Sequence, residues 1–310
     1  MPEKHDTSAS QSGTPAASPA KLTTSYGAPL GPWAGYTFAA MPVYATTSPH
    51  QHIEIVDLPA FGELGRAYRL DGRFMASLAD AHICHECMVH PLLLAHGNAR
   101  RVLILGGGDG GSAREALRHA SVLEVVVAEL DAQVPAAILQ YMPALADGAF
   151  DDPRTTLAIG DARDLVDAAL ACGEHFDAIL FDLTEADGNA ASLHDAAFFA
   201  KVRDLLGPRG GIALQLGAPW YEGAQVRRML DALRSVFACV LPMTAYVPLY
   251  GTQWALAIAS HSLNASDVAA LTENSSSVAL QGVRHYSPTR HAALFDIPPE
   301  LSAILGPIGS

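Results

Sequence analysis

Four carboxylates stand where the sequence turns from strand-like to helix-like. Asp109 lies inside the run Gly106-Gly107-Gly108-Asp109-Gly110-Gly111, Glu129 closes the apolar run from Val122, Asp161 follows Gly160, and Asp182 follows Ala178–Phe181. The glycines satisfy G-x-G-x-x-G between a short buried strand, Val102–Leu105, and a helical stretch, Ser112–His119. With an acid near the end of the next strand, this pattern holds an adenosine ribose by its hydroxyls. Dinucleotide and sulfonium-nucleotide enzymes share it, and a tight turn without a ligand is the bland alternative. Asp109 separates the two ligand classes. A dinucleotide sets its pyrophosphate against the loop and the helix N-terminus, where a carboxylate repels it. A sulfonium nucleotide has no phosphate, and its side-chain ammonium is attracted. Intact S-adenosylmethionine also carries a carboxylate that Asp109 opposes, whereas the decarboxylated form offers only the amine, so Asp109 selects by repulsion as well as attraction. Asp161 is placed to accept from the exocyclic amine of adenine.

Strands and helices must alternate to bring these acids together. After Val102–Leu105 come strand Val122–Glu129, helix Ala132–Met142, strand Thr155–Ile159, helix Ala162–Ala171, strand Ala178–Phe181, helix Ala196–Leu206, strand Gly211–Leu216 and helix Gly223–Val236. Such alternation predicts a parallel sheet covered on both faces, with ligands outside the carboxyl ends of its strands. Two last strands, Val240–Ala245 and Gln253–Ala259, have only a short connection and are expected to be antiparallel. The fold class predicted is α/β, a Rossmann-like sheet of the methyltransferase type, preceded by a small N-terminal β domain. That domain is read from Tyr36–Tyr44, His52–Val56, Ala67–Leu70 and Arg73–Ser77, separated by turn signals such as Asp71-Gly72. Residues 1–32, rich in Ser, Thr, Ala, Pro and Gly, are expected to be a disordered tail. The β-rich domain then spans 33–90, and the nucleotide-binding catalytic domain 91–310.

Composition bounds the function classes. A formal net charge of −13 argues against a nucleic-acid partner and is compatible with a cationic substrate. No apolar run is long enough to span a bilayer, and no basic segment followed by an apolar one opens the chain, so neither membrane insertion nor signal-peptide export is expected. Four cysteines at 84, 87, 172 and 239 make no disulfide framework for 310 residues, and a reducing cytoplasm is the default.

The residues resemble the spermidine synthase family of polyamine aminopropyltransferases over about Val43 to Leu305. The most specific element is Val102-Leu-Ile-Leu-Gly-Gly-Gly-Asp-Gly-Gly-Ser-Ala-Arg-Glu115, joined by Gln51-His52-Ile53, Phe61-Gly62, Leu70-Asp71-Gly72 and His85-Glu86 upstream. Gln215, Val247-Pro248-Leu249-Tyr250-Gly251 and Tyr286-Ser287-Pro288 follow in the family's order. The resemblance implies aminopropyl transfer from decarboxylated S-adenosylmethionine to a di- or polyamine, releasing methylthioadenosine, with the donor as co-substrate and neither cofactor nor metal. It implies that Gln51, Glu129, Asp161 and Ala162 hold the thioadenosine portion against the loop of Gly106 and Gly108. Asp109 and His85 would hold the aminopropyl end or the acceptor amine. Asp182 would be the catalytic acid–base residue, with Glu185 and Tyr250 lining the acceptor channel. A homodimer or larger homo-oligomer is implied as well. An alkyl amine with a pKa of about 10 is mostly protonated at neutral pH and cannot attack. A base at Asp182 would orient the amine and take its proton.

The sequence departs from the family mainly on the acceptor side. Cys84 stands where the family has a tyrosine, Glu185-Ala186 where it has aspartate and proline, and Asn189 where it has a further proline beside the adenine. A smaller Cys84 and a longer Glu185 are expected to reshape the acceptor channel. Three readings compete. An amine N-methyltransferase would use intact S-adenosylmethionine on the same fold. A catalytically idle paralogue would only bind a nucleotide or a partner. The stretch His82-Ile-Cys84-His85-Glu-Cys87-Met-Val-His90 has zinc-like C-x-x-C spacing but no second ligand pair, and it looks helical, with Cys84 and Cys87 as core residues on one face.

Overall fold

Period-two alternation inside wholly apolar runs gives the central sheet a core on each face. The computed structural model describes residues 23–184, 188–263 and 280–306. In β6 (Arg101–Gly106), Val102 and Ile104 belong to one buried cluster, Leu103 and Leu105 to the other; in β9 (Phe176–Asp182), Ala178 and Leu180 divide from Ile179 and Phe181 likewise. Strands apolar on both faces must be covered on both. Helices α1 (Ala81–His96) and α2 (Gly111–Leu117) cover one face, while α5 (Ala162–Cys172), α6 (Ala196–Asp204), α7 (Pro219–Val236) and α9 (Pro299–Leu305) cover the other.

With β7 (Glu124–Glu129), β8 (Thr155–Ile159), β10 (Leu206–Gly217), β11 (Cys239–Val247) and β12 (Thr252–Ser260), the central sheet runs β8-β7-β6-β9-β10-β12-β11. Strands β6 to β10 pair in parallel, and β12 pairs antiparallel with both β10 and β11, as the short connection predicts. The order reverses between β6 and β9, which opens a crevice at their carboxyl ends.

The N-terminal sheet is an antiparallel meander in chain order: β1 (Thr24–Pro29), β2 (Gly35–Thr47), β3 (His52–Asp57), β4 (Arg66–Leu70) and β5 (Arg73–Ser77). The β4–β5 hairpin turns on Asp71 and Gly72, both at positive φ, as a two-residue turn of right-handed strands requires. Ile53, Ile55, Tyr68 and Leu70 pack on Val134 and Ile138 of α3 (Gln133–Tyr141) and on Leu145 of α4 (Pro143–Ala146), which fastens this sheet beside the crevice.

Two boundaries differ from those expected. Residues 24–29, included in the tail by composition, pair with β2 from Thr24↔Ala40 to Pro29↔Gly35. Four of these six residues are exposed, so main-chain hydrogen bonds to the long β2 hold them rather than an apolar pattern that composition could reveal. Helix α1, divided by a boundary at residue 90, packs as one piece against α2, β10 and β11 of the central domain. It is buried almost all round, from Cys84 to Ala95, and a helix apolar on every side needs a covered site between layers.

Glu86, on α1, fastens the C-terminal segment that leads into α8 (Pro288–Phe295). Its carboxylate accepts from the backbone N–H groups of Arg284 (2.8 Å), His285 (2.8 Å) and Tyr286 (2.7 Å). Charge-assisted bonds of this kind are worth more than neutral ones. Glu86→Ala should therefore cost about 2–4 kcal/mol, read from urea unfolding, with Glu86→Gln recovering part. An unchanged urea midpoint for Glu86→Ala would show that the clasp adds nothing.

Candidate active site

The glycine loop touches two of its acids directly. Gly106 sits at φ 77°, and a Cβ there would lie 2.3 Å from the Asp182 carbonyl oxygen; next to it, the Gly107 N–H donates to that oxygen at 2.8 Å. The Gly108 N–H donates to Glu129 Oε2 at 3.0 Å, and the Asp131 N–H to Oε1 at 2.8 Å. The loop thus crosses the ends of β9 and β7 and closes the floor of a cleft of about 410 Å³.

Asp109 projects into this cleft with both oxygens engaged. Oδ1 accepts the Gly111 N–H at 2.8 Å; Oδ2 accepts the Tyr68 hydroxyl at 3.1 Å and lies 3.4 Å from His85 Nε2. The same Nε2 is 3.8 Å from Asp182 Oδ2, an oxygen that is buried and has no hydrogen-bond partner. Among the described residues these three side chains form the one group whose polar atoms converge closely enough to enclose a cation.

Their proton affinities diverge for physical reasons. Burial pushes the Asp182 carboxyl up to about 6; the His85 imidazolium opposes this and the Asp109 charge adds to it. Burial works against a charged His85 too, but Asp109 and Asp182 outweigh it and hold the imidazole above its ordinary range. Asp109 moves the other way: burial would raise it, and His85 with its hydrogen-bond donors brings it below the usual carboxylate. Burial pushes Glu129 up to about 7 against its two backbone donors. The cleft thus contains a buried ion pair, Asp109 with His85, beside a carboxylate that gives and takes a proton near neutrality.

Gln51, His85, Gly106, Gly108, Asp109, Glu129, Asp161, Ala162, Asp182 and Tyr250 all line the cleft. Several are turned differently from what spacing suggests. Asp161 caps α5 through the Arg163 N–H at 2.8 Å and pairs with the Arg163 guanidinium, which holds its carboxyl below the usual range. The Tyr250 hydroxyl donates to the Met75 carbonyl at 2.6 Å. Glu185 lies outside the described residues, as does the side chain of Asn189.

Cys84 is not on the cleft wall. Its buried thiol donates to Gln215 Oε1 at 3.7 Å, an oxygen that also takes the Trp254 indole N–H at 3.0 Å, and Gln215 lines a side cavity of about 30 Å³ beyond Leu183 and Thr184. The histidines and cysteines of α1 do not converge as zinc ligands: His85 faces Asp109, while His90 meets His119 at 3.0 Å.

Sequence reasoning missed three contributors. Tyr68, in β4, hydrogen-bonds Asp109 across 41 residues. Asp131 accepts from Ser48 Oγ at 2.6 Å and Gln51 Nε2 at 3.0 Å, which fixes the turn that carries Gln51. Arg163 lines the cleft beside Asp161. Only Asp131, two residues past Glu129 at a strand end, gave any local signal.

Comparison with known proteins bears on the whole chain. A spermine/spermidine synthase domain matches residues 81–269. The chain is similar to a polyamine aminopropyltransferase from Nitrosomonas europaea, 41% identical over 284 residues and covering 89% of this chain and 84% of that one. It is 36% identical over 261 residues to a polyamine aminopropyltransferase from Korarchaeum cryptofilum, covering 84% and 79% of the two. Two similar crystal structures are a spermidine synthase in complex with the transition-state analogue AdoDATO and the spermidine synthase from Thermotoga maritima. The first has a TM-score of 0.80 at 26% identity, over 88% of this chain and 92% of that one. The second has 0.81 at 27%, over 91% and 94%.

The electrostatics can be tested without any substrate. A protonated Asp182 should be visible as a carboxylic C=O stretch that disappears on raising the pH through about 6. His85→Gln removes the cation that favours ionisation, so the midpoint should move upward. A midpoint that stays in place or falls would mean that His85 does not set it.

Proposed function

The chain belongs to the spermine/spermidine synthase family, and on that premise we propose that it moves the aminopropyl group of decarboxylated S-adenosylmethionine to a di- or polyamine, releasing methylthioadenosine. What carries the reading is the loop carboxylate Asp109, converging with His85 and Asp182 on the cleft where a dinucleotide enzyme would need room for phosphate. Glu129, at the end of β7 beside the glycine loop, supports a ribose-binding role: a carboxylate accepts from two adjacent hydroxyls. Gln51, Asp161 and Ala162 border the same end of the cleft and are assigned to the thioadenosine.

The reaction is an in-line displacement. The lone pair of the acceptor amine forms a C–N bond at the methylene next to sulfur, the C–S bond breaks toward sulfur, and the sulfonium leaves as a neutral thioether. The new C–N nitrogen stays an ammonium; the lone pair that attacked was freed when the acceptor ammonium shed a proton. Asp182 is assigned to receive it, because its unpartnered Oδ2 and its titration near 6 suit a base working close to neutral pH. Much of the acceleration comes from holding two reactants in one crevice, since the sulfonium is already a good leaving group. The donor carries its own leaving group, so no resident cofactor is assigned. Glu185 and Tyr250 are assigned to the acceptor channel. No helix among the described residues is long and apolar enough to cross a membrane; cytoplasmic action is our reading from the cysteine usage, and a homodimer or larger homo-oligomer our reading from the family.

Product analysis by mass tests the function. Incubation with an amine panel from diaminopropane to spermine should yield aminopropylated product with the decarboxylated donor. Methylated product from intact S-adenosylmethionine would make the protein an N-methyltransferase instead. Asp182→Asn keeps size and removes basicity, so turnover should fall by about 10²–10⁴ with donor binding little changed; near wild-type turnover would remove Asp182 from the chemistry. Glu129→Gln should weaken methylthioadenosine binding, since an amide is a poorer acceptor for two hydroxyls. An unchanged dissociation constant would make Glu129 a bystander.

A further inference from the structure

The displacement leaves the imidazole of His85 without a role. His85 is buried, and its ring is seated on the start of α2 so closely that a Cβ on Gly111 would come within 2.2 Å of it. The ring is therefore held at one place, with Nε2 between Asp109 and Asp182 and with Nδ1 buried and unpartnered. The titratable groups that act on it are Asp109 and Arg114 from the loop and α2, Asp182 from β9, and Asp80 just before α1, while the Tyr68 hydroxyl is engaged by Asp109. Arg114 is turned toward Glu115, at 2.7 Å, and the Leu145 carbonyl. Among the described residues, His85 is then the one basic side chain within ion-pair distance of Asp109 or Asp182.

The donor brings two positive charges, an ammonium and a sulfonium, toward those same carboxylates. We propose that the imidazolium of His85 holds the place of the donor's cationic end in the free enzyme and gives up its proton to solvent when the donor enters. Protonated enzyme and dicationic donor become a complex with neutral His85 and one free proton; only an N–H bond breaks, and charge is conserved. A like charge brought within ion-pair reach lowers a group's proton affinity by roughly tenfold to a thousandfold, which drives an imidazolium toward its neutral form. The raised titration of free His85 supplies the proton to be lost. Neutral methylthioadenosine has nothing to exchange. The inference rests on the donor reading above.

Calorimetric titration near pH 7, repeated in buffers of different ionisation enthalpy, counts the protons. Decarboxylated S-adenosylmethionine should release about one proton per molecule bound, and methylthioadenosine almost none. Donor affinity should rise about tenfold per pH unit while His85 carries its proton, with methylthioadenosine flat over the same range. His85→Gln, checked as folded by unchanged methylthioadenosine affinity, should abolish the release. Asp182→Asn should preserve it, which separates His85 from the neighbouring acid. Equal release with both ligands, release undiminished in His85→Gln, or none between about pH 6 and 8 would each overturn the exchange. Binding of methylthioadenosine without any binding of the donor is a different result, and it would overturn the donor reading itself.

Discussion

Withdrawing three carboxylates from water at one end of a sheet is the constraint on which the cleft depends. An unpaired buried charge costs several kcal/mol, so each acid must be satisfied from within the fold, and each is satisfied to a different degree. Asp109 has a backbone donor, a tyrosine hydroxyl and an imidazole. Glu129 has two backbone donors, and the charges that act on it are those of other acids. Asp182 has an oxygen with no donor at all. The order of satisfaction separates their proton affinities: Asp109 is held ionised, whereas burial pushes Asp182 and Glu129 toward neutrality.

Helix α1 supports this arrangement by facing several ways within one turn. Asp80, just before it, accepts from the Leu249 N–H at 2.6 Å and so ties it to the turn that carries Tyr250. Cys84 reaches Gln215, His85 reaches the cleft, and Glu86 grips the C-terminal segment. A helix used on all sides shows no amphipathic stripe, and its chemistry-bearing residues crowd together in sequence while diverging in space. That divergence is why residues crowded between His82 and His90 serve separate parts of the fold: His85 meets Asp109, and His90 meets His119.

The same geometry explains what was legible beforehand. Strands β6 to β10 were readable because each is a short run closed by glycine or an acid, β11 and β12 because a short connection joins two apolar runs, and the order of strands and helices leaves few ways to wind them. The four acids at strand ends were readable because open sheets bind ligands there. The partners that tune those acids were not: Tyr68 meets Asp109, and Gln51 meets Asp131, across 41 and 80 residues with no periodicity to connect them. Asp161 shows a local partner that went unread. Its place at a strand end was legible, but it opens α5 and precedes Arg163 by two residues, and this local cap claims its carboxylate. On the acceptor side, the size of Cys84 was readable, but not that its thiol is engaged by Gln215.

Local compensation, rather than net charge, decides what a bound ligand feels. A chain charge of −13 is screened within about 8 Å in physiological salt and says little about a ligand sunk in a cleft. There the ligand meets one imidazole and a few carboxylates in a medium of low dielectric, where a single proton changes the balance. Aminopropyl transfer converts one sulfonium and one ammonium into a longer polyamine, a neutral thioether and a proton. On the exchange proposed above, the free cleft carries one proton on His85 and the product-bound cleft one on Asp182. Departure of the cationic product leaves Asp109 without its partner, and the proton on Asp182, 3.8 Å from His85 Nε2, then lies beside the base whose affinity has just been restored.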